Sequence, residues 1–208
     1  MSKSLGNFVD PIEIGSKYGI DYVKYFLLRQ SNINNDSDFS ETDLQLHVNE
    51  LSNNLGNLLK RTFPQKFHNE KEFEIFLKNT TKEDEDLIKI INELTEKIKN
   101  FYDNCDFRQG ILTIMEILNK GNQHFEKEKT YKCRGERLST LKFIIAEILR
   151  ISGIGLYPIL PEKMIELLNY LNQNNENCFI HSELKFKRNS IYKINFNPPL
   201  LFKKLNKE

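Results

Sequence analysis

From Ser40 to about Leu171 the apolar residues recur at intervals of three and four, and no other feature limits the fold so strongly. Leu44, Val48, Leu51, Leu55, Leu58 and Leu59 make one such stripe, Leu87, Ile91, Leu94 and Ile98 a second, and Leu112, Met115 and Leu118 a third. At about 100° per residue each stripe falls on one side of a helix, and that side must be buried against another element. The spacing predicts long amphipathic helices near residues 41–63, 82–103, 107–127, 134–155 and 160–172, packed around one core with little sheet. Ser40, with Asp43 three residues later, provides a capping start for the first, and Pro64 closes it.

Ahead of this bundle, Pro11 after Asp10 begins a short helix that Gly19 stops. Asp21 then precedes Tyr22, Val23, Tyr25, Phe26, Leu27 and Leu28, which read as a second, buried helix, and Asn32 to Asp38 is a turn-rich connector. From Gln173 the period is lost. Lys185, Lys187, Arg188, Lys193, Lys203, Lys204 and Lys207 then dominate, and the segment reads as a solvated tail that packs Leu200, Leu201 and Phe202 back on the body. The expected divisions are 1–39, 40–172 and 173–208.

A chain of 208 residues, 39% hydrophobic, can bury a substantial core. No apolar run approaches the roughly 20 residues of a membrane span, so no membrane partner is expected. Thirty basic against twenty-nine acidic residues give a formal charge of +1, which leaves room for a nucleic-acid surface only as a local patch. Cys105, Cys133 and Cys178 are too far apart for a zinc knuckle and read as free thiols, so no metal site is expected. His47 reads as a solvated side chain. The opening "MSKSLGN" has the composition of an exposed loop, with no secretory signal behind it.

On the first long helix, Asn53, Asn57 and Arg61 follow one another at intervals of four, opposite the apolar stripe, with Glu50 and Asn54 beside them. Asparagine is a mediocre helix former, so this concentration calls for a reason. An amide next to a planar guanidinium can read the edge of an unstacked base and hold its phosphate. An ordinary solvated face is the plainer explanation, and spacing alone does not decide between the two.

Taken as one piece, residues 1–61 resemble methionyl-tRNA synthetase, a class I aminoacyl-tRNA synthetase, from within its KMSKS loop onward. Met1-Ser2-Lys3-Ser4 matches the end of that signature. Leu5-Gly6-Asn7, Tyr18-Gly19 with Asp21, "YFLLR" at Tyr25 to Arg29, "D-DFSE" at Asp36 to Glu41 and "LGNLLKR" at Leu55 to Arg61 follow in the family's order. "GLYPILPEKMIELLNYL" at Gly155 to Leu171 and the closing "PLLF" are similar to it as well.

The resemblance implies a mainly α-helical anticodon-binding bundle preceded by a short stem-contact junction, with the catalytic nucleotide-binding domain upstream and absent from this chain. It implies ATP, with Mg in the complete enzyme, methionine tRNA and that upstream domain as partners. Met1, Ser2, Lys3 and Ser4 would form the ATP-binding loop, with Lys3 supplying positive charge to the reacting phosphates. Asn57 and Arg61 match the family's readers of the first anticodon base, a cytosine. The family's third member is a tryptophan after a segment of the form N-x-Y…P-W. Here Asn122 fits the asparagine, His124 replaces the tyrosine, and Thr130 and Tyr131 hold the last two positions in a chain without tryptophan. Tyr131 is either a smaller stacking platform or a residue packed at a helix start. The lost tryptophan and short length lean towards a mitochondrial matrix enzyme, with the cytoplasm as the alternative. A free-standing RNA-binding module or an inactive fragment is the competing function, and oligomeric state is not expressed in the sequence.

Overall fold

The computed structural model describes residues 9–30, 39–64, 72–172, 181–195 and 197–205. Met1 to Ser4, including Lys3, the Asn32–Asp38 connector and Cys178 lie outside them. Helix α1 (Pro11–Tyr18) starts where Asp10 Oδ1 accepts the Ile12 amide at 2.8 Å, and it ends at Gly19, whose φ of 94° suits a residue without a side chain. Helix α2 (Ile20–Gln30) buries Val23, Tyr25 and Phe26, although Leu27 stays exposed.

Ser40 Oγ accepts the Asp43 amide at 3.2 Å and opens α3 (Glu41–Leu51). A π-helical turn, Ser52–Gly56, leads directly into α4 (Asn57–Thr62), so α3 and α4 form a single rod with one wide turn inside it. Strand β1 (Glu72–Ile75) precedes α5 (Lys82–Asp103), which begins on a reciprocal cap between Thr81 and Asp84. Helices α6 (Phe107–Lys127), α7 (Gly135–Leu156) and α8 (Pro161–Tyr170) follow, and strand β2 (Tyr192–Asn195) returns to pair antiparallel with β1. The five helices anticipated from the apolar period are all present, within two residues at each end.

Helix α7 is the axis of the molecule, buried on every side from Thr140 to Leu156 and packed against α5, α6, α8 and β1. Ile75, Tyr192 and Ile194 turn inward from the two strands. The buried Glu147 and Arg150 of α7 face each other, with Nη2 2.8 Å from Oε2. The tail completes their shell: the Glu183 and Lys185 carbonyls accept from Arg150, while Lys187 N and the Tyr192 hydroxyl donate to Glu147. A smaller cluster of Ile14, Val23, Phe26, Leu44 and Val48 joins α1, α2 and α3, and Leu205 packs against it.

Four details differ from the sequence expectation. The inward face of α6 is Ile111, Ile114, Met115, Ile117 and Leu118, with Leu112 only half-buried, because position 112 lies about 100° round from 111 and falls at the edge of the stripe. In the tail Leu201 and Phe202 are buried but Leu200 is 52% exposed, so only two of the three apolar residues pack back on the body. The tail also contributes a strand, which its short alternation does not advertise. His47 is half-buried against the Phe26 ring, with Nε2 3.3 Å from Gln30 Oε1, and burial pushes its imidazole pKa down.

Candidate nucleic-acid interface

The α3–α4 rod carries its polar row opposite the core stripe, and Asn53, Asn57 and Arg61 are all exposed. In an unbroken α-helix, residues four apart drift by about 40° per step. The π-helical turn spends one more residue on the same rotation and takes back the drift of the step from Asn53 to Asn57, while the step from Asn57 to Arg61 lies in ordinary α-helix. Asn57 Nδ2 accordingly reaches Asn53 Oδ1 at 3.3 Å. Arg61 pairs with Glu126 of α6 and lays its guanidinium carbon 4.6 Å from the centre of the Phe125 ring. Exposed ion pairs of this kind contribute little, so Arg61 can exchange Glu126 for another anion at small cost.

Beside Arg61 opens a cavity of about 450 Å³, lined by Arg61, Phe125, Tyr131, Arg134 and Lys142 among others. Its walls combine aromatic and aliphatic surface with three cationic side chains. The Tyr131 ring is 57% exposed and sits in a single 3₁₀ turn, Thr130–Lys132, between α6 and α7 rather than at the start of α7. Arg61 and Tyr131 thus line the same cavity, whereas Asn57 stands one turn back along the rod and is not among its lining residues.

The turn bearing Tyr131 is held at both ends. Thr130 Oγ1 donates to the Phe125 carbonyl at 3.2 Å, and Lys129 takes a left-handed φ of 48°. Arg137, in the first turn of α7, donates to Glu128 at 2.6 Å and to the fully buried Asp84 of α5. His124 Nε2 lies 2.9 Å from Asp84 Oδ1. Burial alone would push the Asp84 carboxyl up, but His124, Arg137 and the Thr81 amide beside it together hold it well below the usual carboxylate range. Its charge is therefore retained, and this network keeps the ends of α5, α6 and α7 in register.

Two residues here escape sequence reasoning. Lys142 belongs to a helix apolar on nearly every side, and nothing in its surroundings in the chain marks it as a cavity residue. Burial lowers its pKa to about 8. Arg134 precedes α7 and looks like any exposed loop cation. Among the described residues no group of three or more His, Cys, Asp or Glu could hold a metal ion, and no helix is long and apolar enough to cross a membrane. Cys105 and Cys133 are free thiols.

Residues 1–63 match the family model described as tRNA synthetases class I (M). The methionine–tRNA ligase of Caldanaerobacter subterraneus is 35% identical over 180 residues, covering 81% of this chain and 28% of its own. The probable mitochondrial methionine–tRNA ligase of Dictyostelium discoideum is 32% identical over 202 residues, covering 91% of this chain and 35% of its own. The chain belongs to the methionyl-tRNA synthetase family. It is also 33% identical over 200 residues to the probable mitochondrial methionine–tRNA ligase of Schizosaccharomyces pombe, covering 89% of this chain and 37% of that one. The fold agrees: a Mycobacterium tuberculosis methionyl-tRNA synthetase bound by methionyl-adenylate superposes with a TM-score of 0.85 at 24% identity, over 98% of this chain and 41% of that one. The chain therefore spans between about a quarter and two-fifths of the length of the methionyl-tRNA synthetases it matches.

Proposed function

We propose that this chain is the tRNA-reading C-terminal part of a methionine–tRNA ligase, and that Asn57, Arg61 and Tyr131 recognise the first anticodon base of methionine tRNA. The observation that carries this reading is the cavity that Arg61 and Tyr131 line together, although 69 residues of chain lie between them. A flat ring and a planar cation beside one cleft suit a single unstacked base, the ring by stacking and the guanidinium by donating to acceptor atoms on the base edge. Arg134 and Lys142 add positive charge for the phosphates that flank it.

On the same reading the division is a loop-and-junction segment to residue 39, an anticodon-binding bundle from 40 to 172 and a tail that packs back. Methionine activation by ATP, with Mg, takes place in the upstream catalytic domain, to which this chain contributes the loop Met1, Ser2, Lys3 and Ser4. The Lys3 ammonium would meet the charge developing on the reacting phosphates. Location in the mitochondrial matrix is supported by two relatives named mitochondrial, which align over 91% and 89% of the chain.

The test is Arg61→Ala in the complete enzyme. Loss of a good base contact costs about 1–3 kcal/mol, so aminoacylation of methionine tRNA should fall roughly ten- to a hundredfold while methionine-dependent pyrophosphate exchange is unchanged. Unaltered preference between cytosine-bearing and altered-anticodon tRNAs would overturn the reading.

A further inference from the structure

We propose that Asn122 is a positioning residue for the base-reading row: its amide holds the π-helical turn of the α3–α4 rod open, and the turn aims Arg61 at the cavity. The inference rests on the reading of that cavity given above. In the wide turn the Asn57 amide reaches back five residues to the Ser52 carbonyl. The ordinary four-residue pattern is broken there, and the wide turn is open to a donor from outside the rod. Asn122 Nδ2 supplies one, donating to the Asn54 carbonyl at 2.9 Å across the helix–helix crossing. The same nitrogen donates to the Leu118 carbonyl of its own helix at 3.0 Å, which fixes the direction in which the amide points. The preceding Gly121 allows the approach, because a Cβ there would lie 3.1 Å from Ile148 and 3.3 Å from Leu58.

The consequence is rotational. Without the wide turn, the two steps from Asn53 to Arg61 would accumulate about 80° of drift, swinging the guanidinium off the side of the rod that faces Phe125 and Tyr131. Asn122 touches no base on this account. It acts through the azimuth of Arg61.

Asn122→Asp keeps the shape but sets a carboxylate against two carbonyls, and Asn122→Ala removes the donor without repulsion. In the complete enzyme, either should raise KM for cytosine-bearing methionine tRNA by about five- to tenfold, with kcat within twofold and pyrophosphate exchange unchanged. The decisive measurement is the double variant with Arg61→Ala, in which the second substitution should add less than about twofold, since its effect passes through a side chain already removed. A full and independent penalty in the Arg61→Ala background, or an unchanged KM in Asn122→Ala, would overturn the proposal. If Arg61→Ala itself is silent, the cavity reading fails and this inference falls with it. If Arg61→Ala is costly while Asn122→Ala is not, only the present inference fails.

Discussion

Lys142 is a cation kept in an apolar wall, 7% exposed, with its ammonium 4.6 Å from the Phe73 ring centre. Its pKa of about 8 lies below the unfolded-chain value of 10.5, so between those limits the unfolded chain binds the extra proton and stability rises with pH. Below about pH 8 both states are charged and the folded state bears the full desolvation penalty. Lys142→Met should therefore melt a few degrees above the parent at pH 7, and the gap should close as the pH approaches 10.5, which thermal denaturation across that range would check. A gap that stays constant with pH would mean that burial is not what depresses this lysine. At Tyr131 the exposed ring leaves space for a larger one, so Tyr131→Trp should preserve folding and tighten methionine-tRNA binding about two- to tenfold, measured by filter retention or anisotropy. Arg61 and Asn57 were legible because a polar residue every fourth position stands out against an apolar stripe. Lys142 was not, because a helix buried all round has no contrasting face from which to read a cavity.

At the scale of elements, stripes and caps told the same story. Leu44, Val48, Leu51, Leu55, Leu58 and Leu59 are all fully buried, and the expected caps at Asp10, Ser40 and Gly19 are where the helices begin and end. The π-helical turn left no such trace, because leucines spaced three and four apart satisfy a straight helix equally well; the backbone bond from Asn57 to the Ser52 carbonyl is what marks it. Leu51→Asp puts an unpaired charge into the main core and should unfold the chain or cost about 3–5 kcal/mol. Asn54→Ala leaves the backbone carbonyl in place and should fall within about 0.5 kcal/mol of the parent. Chemical denaturation followed by circular dichroism separates the two, and similar midpoints would mean that the buried face of this rod has been misdrawn.

For the whole molecule, the least legible feature was how the tail joins the body. Four-residue strands such as Glu72–Ile75 and Tyr192–Asn195 are too short for alternation to be distinctive, and nothing in the sequence marks one as the partner of the other. Neither did the seven tail cations announce that Lys187 would pair with Glu183, Arg188 with Glu85 and Lys193 with Glu74. The join is made around Glu147 and Arg150, where two tail carbonyls, one tail amide and the Tyr192 hydroxyl complete a buried ion pair. Arg150→Met strands the Glu147 charge inside and should cost about 3–5 kcal/mol, with the tail more readily cleaved by protease than the helices, as limited proteolysis would report. The pairing of Ile75 with Tyr192 also orders events in time, since the second strand emerges roughly 120 residues after the first. On the ribosome the first strand must wait, its ladder edge unpaired, through the synthesis of four helices. Until Tyr192 emerges, that edge is open to pairing with another chain.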